Sequence, residues 1–393
     1  MALSSLIVLL ALLAPAMAAG LPPATLAFPP GPHAAGFRVL SHRDAARRAP
    51  DGSLRPVQVS LWYPAAAGAA SSPMQYRDYV LVSTRERTLA ALDLATEQEA
   101  MARYRAFLAK NGLSAAGIDA WLGSAMLARL DAPAASGRFP LVVIAQGMGG
   151  ATPDQAALGE WLASYGYVVA TTPSPVRLGS RMESDADVPA MADEQARDME
   201  VALSVASAQP VADPARTGLI GYSFGARAAL LAAGRRPAVK ALVSLDGGIG
   251  SSAAKGWLAP GALDRRALRV PVLHVYEETD EDARPDFGLL ASLTAAPRTL
   301  ARVDGLRHLD FITVGLASAS LPPRGGPDPR RLAALRAGFE TARAYLDAHV
   351  AGDDRAWRAL TATGSGENGL LRIVRFGSAA HASPRPRTAG SRP

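Results

Sequence analysis

The sequence predicts an α/β protein in which a mostly parallel sheet is covered by helices on both faces. From residue 139 onward, short apolar runs alternate with longer segments of helical periodicity, an order that implies parallel strands connected by helices. Runs such as FPLVVIAQG (139–147) are almost continuously apolar, as is typical of strands buried on both faces. The hydrophobic fraction of 49% supplies enough apolar side chains for such a core.

The predicted elements follow one another in a simple order along the chain. Two strands joined by a polar turn come first, then a helical block, and then strands and helices in alternation. The predicted strands span residues 36–44, 55–64, 139–147, 167–173, 216–223, 239–248 and 269–278, and the segment 298–308 carries a last strand that ends before His308. The predicted helices of the alternating region span residues 154–166, 192–209, 224–235 and 329–352.

One domain is predicted for residues 19–352, and residues 84–130 form a helical insertion before the first parallel strand. The pair Asn111-Gly112 is a natural break between two helices of this insertion. We expect the insertion to pack near the mouth of the site and to influence substrate size; a purely structural decoration is the alternative. Residues 353–393 are predicted to be a C-terminal tail, disordered from about residue 378, where Pro, Arg, Ser and Gly predominate.

The first residues have the composition of an export signal. MALSSLIVLLALLAPAMAAG has an apolar core and ends in the small residues Ala16-Met17-Ala18, an A-x-A cleavage pattern. No Lys or Arg precedes the apolar run, which departs from the usual signal. The core is too short to cross a bilayer comfortably, so we expect no stable membrane span. Cleavage after Ala18 predicts a periplasmic or secreted protein.

Charge and residue usage exclude several classes of function. The formal net charge is +6, carried mostly by single arginines among alanines. Nucleic-acid-binding proteins usually concentrate basic residues in a patch or stripe, so we expect no nucleic-acid partner. The absence of cysteine fits an oxidising compartment and excludes disulfides, and no His or Cys pair has metal-ligand spacing. The oligomeric state is not indicated.

The stretch GLIGYSFGARAAL places Ser223 between two glycines, after a predicted strand and before a predicted helix. This G-x-S-x-G pattern in a strand–turn–helix setting is typical of a nucleophilic serine on a sharp turn. Gly221 and Gly225 have a physical reason, because side chains there would clash where the strand and the helix approach each other. A simple turn is the alternative interpretation.

A serine hydroxyl needs a base to take its proton. Of the six histidines, only His308, in VDGLRHLDF, lies in a loop after the last predicted strand. Loops at the carboxyl ends of parallel strands surround the ligand crevice of such sheets, so we predict that His308 is the base. His274 lies inside a predicted strand, where a packed, hydrogen-bonded histidine is expected.

The third member would be a carboxylate that orients the histidine. Asp246, in VSLDGG, follows the strand directly after the nucleophile helix, and Asp280, in VYEETDEDARPD, follows the next strand. The chain order Ser, Asp, His holds for either residue. Asp246 is favoured because it stands between an apolar strand end and two glycines, whereas Asp280 lies in a cluster of like charges.

The negative oxygen of a tetrahedral intermediate needs preorganised donors. One is expected to be the backbone N–H of Phe224, the residue after the nucleophile, and the other the N–H of Met148 in the glycine-rich loop AQGMGG. A phosphate-binding loop is the competing interpretation of these glycines. It would need a lysine after the loop, and none is present.

These segments together resemble α/β-hydrolases of the platelet-activating-factor acetylhydrolase-like group, which is related to dienelactone hydrolases and bacterial polyester hydrolases. The resemblance rests on RPVQVSLWYP, VVIAQGMGG, DPARTGLIGYSFGARAAL, VSLDGG and GLRHLDF, which lie in order between about residues 36 and 311. It implies the α/β-hydrolase fold and an acid at Asp246, although polyester hydrolases would place it at Asp280. Relatives usually have His-Gly where this chain has Gln146-Gly147.

The sequence therefore predicts an exported serine hydrolase that cleaves a small-molecule carboxylic ester through an acyl-enzyme and needs no cofactor. The triad would be Ser223, Asp246 and His308. Two alternatives remain open at this point, which are amide or peptide hydrolysis by the same triad and a non-catalytic binding protein on a hydrolase scaffold. The acyl length and the leaving group depend on pocket shape, which no motif encodes.

Overall fold

One mixed sheet forms the centre of the computed structural model. The structure describes residues 28–68, 72–91, 93–252, 256, 258–279, 284–366 and 369–376. Within these ranges the strands are β1 (Ala34–Arg48), β2 (Leu54–Ala65), β3 (Pro73–Gln75), β4 (Ala125–Leu130), β5 (Phe139–Ala145), β6 (Val168–Thr172), β7 (Ala212–Tyr222), β8 (Ala241–Leu245), β9 (Val272–Tyr276), β10 (Arg298–Val303) and β11 (Leu371–Arg375). Their order across the sheet is β11-β10-β9-β8-β7-β5-β6-β2-β1-β4-β3.

The middle of the sheet is parallel, as the sequence predicts. Strands β6, β5, β7, β8, β9 and β10 pair in parallel with one another. The β1–β2 hairpin joins this region through antiparallel pairing of β2 with β6, and β11 pairs antiparallel with β10 at the other end. The carboxyl ends of the parallel strands therefore all lie at one edge of the sheet, where the predicted site residues follow them.

Two hydrophobic cores cover the two faces of the sheet. Along β5, Val142 and Ile144 belong to one core and Leu141 and Val143 to the other, which is the two-residue alternation of an extended strand. Because both faces are covered, all four side chains are buried. This explains why β5 appears as a continuous apolar run in the sequence.

Ten α-helices are present in the part of the chain that the structure describes. They are α1 (Tyr76–Ser83), α2 (Leu94–Lys110), α3 (Ala115–Leu122), α4 (Ala156–Ser164), α5 (Val188–Ser207), α6 (Gly225–Arg235), α7 (Gly288–Ser292), α8 (Thr313–Ser320), α9 (Pro329–Leu346) and α10 (Arg355–Thr363). Helices α5, α6 and α7 pack on one face of the sheet, and the others contribute to the core on the opposite face. None of the helices in these ranges is long and apolar enough to cross a membrane.

The predicted helical insertion is only partly helical. Helices α2 and α3 are separated at Asn111 and Gly112, as predicted, and Gly112 adopts a φ of 89°. The prediction of helix up to residue 130 was wrong, because residues 125–130 form β4, which pairs in parallel with β1. In the segment AMLARL, buried side chains alternate with more exposed ones. This alternation suits a strand, which forms here by pairing with β1.

The predicted tail also differs from the structure. Helix α10 and β11 follow residue 352, and β11 extends the sheet beyond β10. Trp357 of α10 packs edge-on against Tyr345 with ring centroids 4.9 Å apart, which fixes this segment to the core. The start of the predicted disorder, at about residue 378, lies outside the described residues, as do the predicted signal peptide and its cleavage site at Ala18.

A buried carboxylate connects the insertion to the main domain. Glu160 of α4 is fully buried, and its Oε2 accepts the N–H groups of Leu127 (3.0 Å) and Ala128 (3.1 Å) in β4. Tyr79 of α1 donates its hydroxyl to the same oxygen. Burial raises the pKa of Glu160 to about 8, so the side chain is largely neutral in the folded protein below that pH.

Replacing this side chain by its neutral isostere should change how stability depends on pH. An unfolded chain ionises Glu at a pKa of about 4.3, whereas folded Glu160 stays protonated to about pH 8. The wild type should therefore lose stability as pH rises through this window. Glu160→Gln removes that loss, so its stability relative to wild type should rise between pH 5 and 8, by at most about 1.4 kcal/mol per pH unit. Urea unfolding at pH 5, 6, 7 and 8 measures it, with exposed Glu99→Gln as control; parallel curves for wild type and Glu160→Gln would contradict the prediction.

Candidate active site

Ser223 lies at a sharp turn between β7 and α6. Its φ is 52°, in the left-handed region that few residues other than glycine adopt. Its backbone N–H donates to Leu245 O (3.2 Å), and its carbonyl accepts the N–H of Gly248 (2.9 Å). These bonds to the last residue of β8 and to the segment after it hold the strained residue in place, with its hydroxyl at the carboxyl edge of the sheet.

The two glycines of the G-x-S-x-G pattern allow this turn. A Cβ on Gly221 would overlap the backbone of Ala226, and one on Gly225 would overlap the carbonyl groups of Ala145 and Gln146. Both contacts are with main-chain atoms, which a rotamer change cannot relieve. The predicted steric reason for the glycines is therefore confirmed.

The structure brings His308 next to Ser223. His308 begins a short 3₁₀ turn, His308–Phe311, after β10, and its Nε2 lies 2.9 Å from Ser223 Oγ. The imidazole stacks on the Tyr222 ring with centroids 5.1 Å apart. Buried Asp310 accepts the N–H of Arg307 (2.8 Å) and the Nε–H of Arg331 (2.9 Å), which fixes the loop on which the imidazole is placed.

Asp246 completes the chain of contacts on the other side of the imidazole. Its Oδ2 lies 2.5 Å from His308 Nδ1, and its backbone has a φ of 42° directly after β8. The side chain is 9% exposed, against 24% for His308. With the proton on Nδ1, His308 donates to Asp246 and Nε2 can accept the hydroxyl proton of Ser223. The alternative acid, Asp280, lies outside the described residues.

The backbone N–H groups predicted to hold an oxyanion are free to do so. Among the described residues, those of Met148 and Phe224 donate no hydrogen bond to the protein. Their neighbours are engaged, because Gly149 N–H donates to Ser174 Oγ (3.1 Å) and Gly150 N–H to Gly147 O (3.0 Å). A Cβ on Gly147 would lie 2.8 Å from the Tyr222 ring, so the loop passes close to the turn at Ser223.

Gln146, where relatives usually have histidine, supports this loop from behind. Its side chain is fully buried and donates from Nε2 to Thr171 Oγ1 (2.9 Å), while its carbonyl accepts Nε2–H of Gln195 (2.8 Å). It is not among the described residues that line the cleft beside Ser223. The Gln146 side chain therefore belongs to the packing behind the loop, and other residues form the cleft wall.

The insertion forms one wall of the cleft that contains Ser223 and His308. The cleft has a volume of about 840 Å³, within the usual range of small-molecule sites. Tyr104 and Phe107 of α2 and Val80 of α1 line it together with the loop that contains Met148. The insertion thus packs at the site, as the sequence predicts.

The cleft lining also contains ionisable residues that were not predicted, among them Glu86, Asp154 and Arg177. Glu86 pairs with Arg177 and accepts the N–H of Thr152 in a long hydrogen bond of 3.4 Å. Burial raises the pKa of Glu86 to about 7 and that of Asp154 to about 6. Glu86 lies within the polar stretch RER, so no local pattern distinguishes it from a solvent-exposed residue.

The histidine inside the sheet, His274, is structural and does not line the cleft. His274 in β9 is buried with its Nδ1 2.9 Å from Ser244 Oγ, and burial lowers its pKa to about 4. The expectation of a packed, hydrogen-bonded histidine is confirmed. Across the described ranges, no group of three or more His, Cys, Asp or Glu side chains is arranged to hold a metal ion.

The left-handed backbone conformation of Ser223 should lower the free energy of unfolding of the protein. A non-glycine residue in this conformation costs roughly 1–2 kcal/mol, partly offset in a glycine variant by the larger entropy of its unfolded chain. Ser223→Gly should therefore be more stable than Ser223→Ala by about 0.5–1 kcal/mol, because both lose the hydroxyl and only glycine relieves the strain. Chemical unfolding measures it. Ala229→Gly within α6 is the control and should lose stability; equal stability of the two Ser223 variants would argue against strain.

Comparisons with known proteins agree with this architecture. The dienelactone hydrolase family model matches residues 126–286, which confirms the predicted resemblance over that region. No curated protein sequence matches the chain. Among solved structures, the fold is similar to that of a ferulic acid esterase from Streptomyces cinnamoneus, with 20% identity, a TM-score of 0.61 and coverage of 86% of this chain and 96% of the other. The chain therefore has the α/β-hydrolase fold and resembles dienelactone hydrolases across its central part.

Proposed function

We propose that the protein is a carboxylic ester hydrolase that works through an acyl-enzyme on Ser223. The observation that carries the proposal is the continuous chain from Ser223 Oγ through His308 to Asp246, with distances of 2.9 and 2.5 Å. It lies in a cleft beside two backbone donors that have no other partner among the described residues. Such a combination of nucleophile, base, orienting carboxylate and oxyanion donors serves acyl transfer.

In the first half of the reaction, Ser223 Oγ attacks the ester carbonyl carbon while His308 Nε2 takes the hydroxyl proton. The carbonyl electron pair moves onto the oxygen, which accepts hydrogen bonds from the Met148 and Phe224 N–H groups. The bond from carbon to the alcohol oxygen then breaks, and His308 returns its proton to that oxygen. The alcohol leaves, and the acyl group stays on Ser223.

In the second half, a water molecule repeats the attack on the acyl-enzyme. His308 Nε2 takes a proton from the water as its oxygen attacks the acyl carbon. The negative oxygen of the resulting tetrahedral intermediate accepts hydrogen bonds from the same two N–H groups. When the bond from carbon to Ser223 Oγ breaks, His308 gives the proton back to the serine oxygen. The products are the carboxylic acid and the regenerated enzyme, so atoms and charge balance without a cofactor.

Asp246 would orient and stabilise His308 throughout both halves. Its Oδ2 accepts the Nδ1–H, which fixes the tautomer whose Nε2 is free to act as a base. The same carboxylate stabilises the imidazolium that forms when Ser223 is deprotonated. The solved structure with a similar fold is that of a ferulic acid esterase. This similarity supports an ester, rather than an amide, as the substrate of the present protein.

The proposal is tested by labelling and by two carboxylate variants. A fluorophosphonate should label Ser223, and Ser223→Ala should be unlabelled and inactive on p-nitrophenyl esters. Asp246→Asn should lower kcat by about 10³-fold or more, because it removes the acceptor that fixes the tautomer. Asp280→Asn is the matched control and should stay within a few-fold of wild type.

The outcomes separate the alternatives that the sequence leaves open. A large loss in Asp280→Asn with an active Asp246→Asn would assign the acid to Asp280 instead. A folded wild type that is neither labelled nor active on any ester would favour a binding protein.

We also propose that the protein is exported, on the basis of the apolar N-terminal segment and its A-x-A pattern. Cleavage after Ala18 would leave Ala19 as the first residue of the mature chain. N-terminal sequencing of protein recovered from the periplasm or the medium checks this expectation. Protein found only in the cytoplasm with its first residues intact would contradict it.

A further inference from the structure

A second groove meets the catalytic cleft at His308. It has a volume of about 940 Å³, and His308 and Leu309 line both this groove and the cleft that contains Ser223. The described lining of the second groove includes neither Ser223 nor the loop with Met148. His308 therefore stands between two spaces, each large enough for a small organic group.

The second groove has an apolar floor and a basic rim. Leu306, Val314 and Pro322 line it beside Leu309. At its rim are Lys110, the last residue of α2, and Arg307, both of them exposed. The lining also contains exposed Asp328 and the mostly buried Arg331. Because Arg331 is paired with Asp310, the apolar floor can cover an apolar group of the substrate without an unpaired buried charge opposing it.

We propose that the second groove binds the alcohol part of the ester, while the cleft under α2 binds the acyl part. This inference rests on the proposed hydrolase function. His308 Nε2 must deliver a proton to the departing oxygen, so the alcohol leaves on the side of the imidazole. The acyl carbon must contact Ser223 Oγ, and its carbonyl oxygen must reach the Met148 N–H, which are both in the first cleft.

The substrate class that follows is an ester extended on both sides of the bond to be broken. Each side carries a bulky, mainly apolar group, which the volumes of the two spaces accommodate. An ester with a short acyl chain and a small alcohol would leave both spaces filled with water. Burial of apolar area on each side contributes to binding in proportion to the area covered.

One helix contributes to both spaces at positions that can be tested separately. Arg103 of α2 lines the first cleft and Lys110 the second. They are seven residues apart, which is two helical turns or roughly 10 Å along the same face. A tryptophan at either position would fill one space and leave the other open.

The experiment uses two isomeric esters that exchange the bulky group across the ester bond. Acetic acid 1-naphthylmethyl ester has a small acyl group and a large alcohol, and methyl 1-naphthylacetate has the reverse. Acid release at constant pH gives kcat/KM for each with the full-length mature protein, and methyl acetate serves as the small reference. The measured quantity is the ratio of kcat/KM between the two isomers.

We expect Lys110→Trp to shift this ratio by about tenfold or more in favour of methyl 1-naphthylacetate, a change typical of steric exclusion from a pocket. Arg103→Trp should shift it in the opposite direction. Arg307→Trp fills the second groove from another element and should act like Lys110→Trp, which covers the case in which the helix variant does not fold. Ala106→Trp, at an exposed position of α2 that lines neither space, should leave the ratio unchanged.

Three results would overturn the inference while leaving the hydrolase intact. These are an unchanged ratio in both groove variants, a shift of Lys110→Trp in the same direction as Arg103→Trp, or a wild type that hydrolyses methyl acetate but neither isomer. Failure of the proposed function itself looks different, because the wild type would then hydrolyse none of the three esters and Ser223 would not react with a fluorophosphonate.

Discussion

The site depends on the parallel alignment of the central strands, which brings three separate loops to one edge of the sheet. Ser223 follows β7, Asp246 follows the adjacent β8, and His308 follows β10 after a short connection. Hydrogen bonds link these elements directly, since the Ser223 N–H donates to Leu245 at the end of β8 and its carbonyl accepts the N–H of Gly248 in the loop after β8. The backbone strain at Ser223 and Asp246 is sustained because the surrounding strands are buried on both faces and cannot shift independently.

The parts of the fold that the sequence predicted correctly are those that local pattern determines. Continuous apolar runs identified β5 through β9, and the strand–turn–helix context identified Ser223. His308 and Asp246 were chosen because each follows a strand end, and the structure places both within hydrogen-bond distance of one another. Their catalytic roles stay a prediction, as does the choice against Asp280, which lies outside the described residues.

The missed features depend on partners that are distant along the chain. Strands β4 and β11 lie towards the two ends of the sheet, and each becomes a strand by pairing with distant segments: β4 pairs with β1 and β3, and β11 pairs with β10. Glu86 and Glu160 resemble solvent-exposed residues of helical segments in the sequence, yet both are buried. Both are buried because the insertion folds back onto the sheet. The contacts between these segments join residues far apart in the chain, so a sequence window of ten or twenty residues cannot predict them.

Gln146 places a neutral side chain behind the loop that contains Met148, at the position where the resemblance to acetylhydrolases implies a histidine. An imidazole has its proton equilibrium close to physiological pH, so a histidine at this position would be able to change its charge and hydrogen bonding as the medium acidifies. The amide of Gln146 keeps the same donor and acceptor at every pH and bonds to the uncharged hydroxyl of Thr171. The hydrogen bond from Gln146 is therefore unaffected by protonation. It differs in this from the buried carboxyl groups of Glu86 and Asp154, which accept the N–H groups of Thr152 and Ala151 directly after the same loop and have pKa values raised to about 7 and about 6.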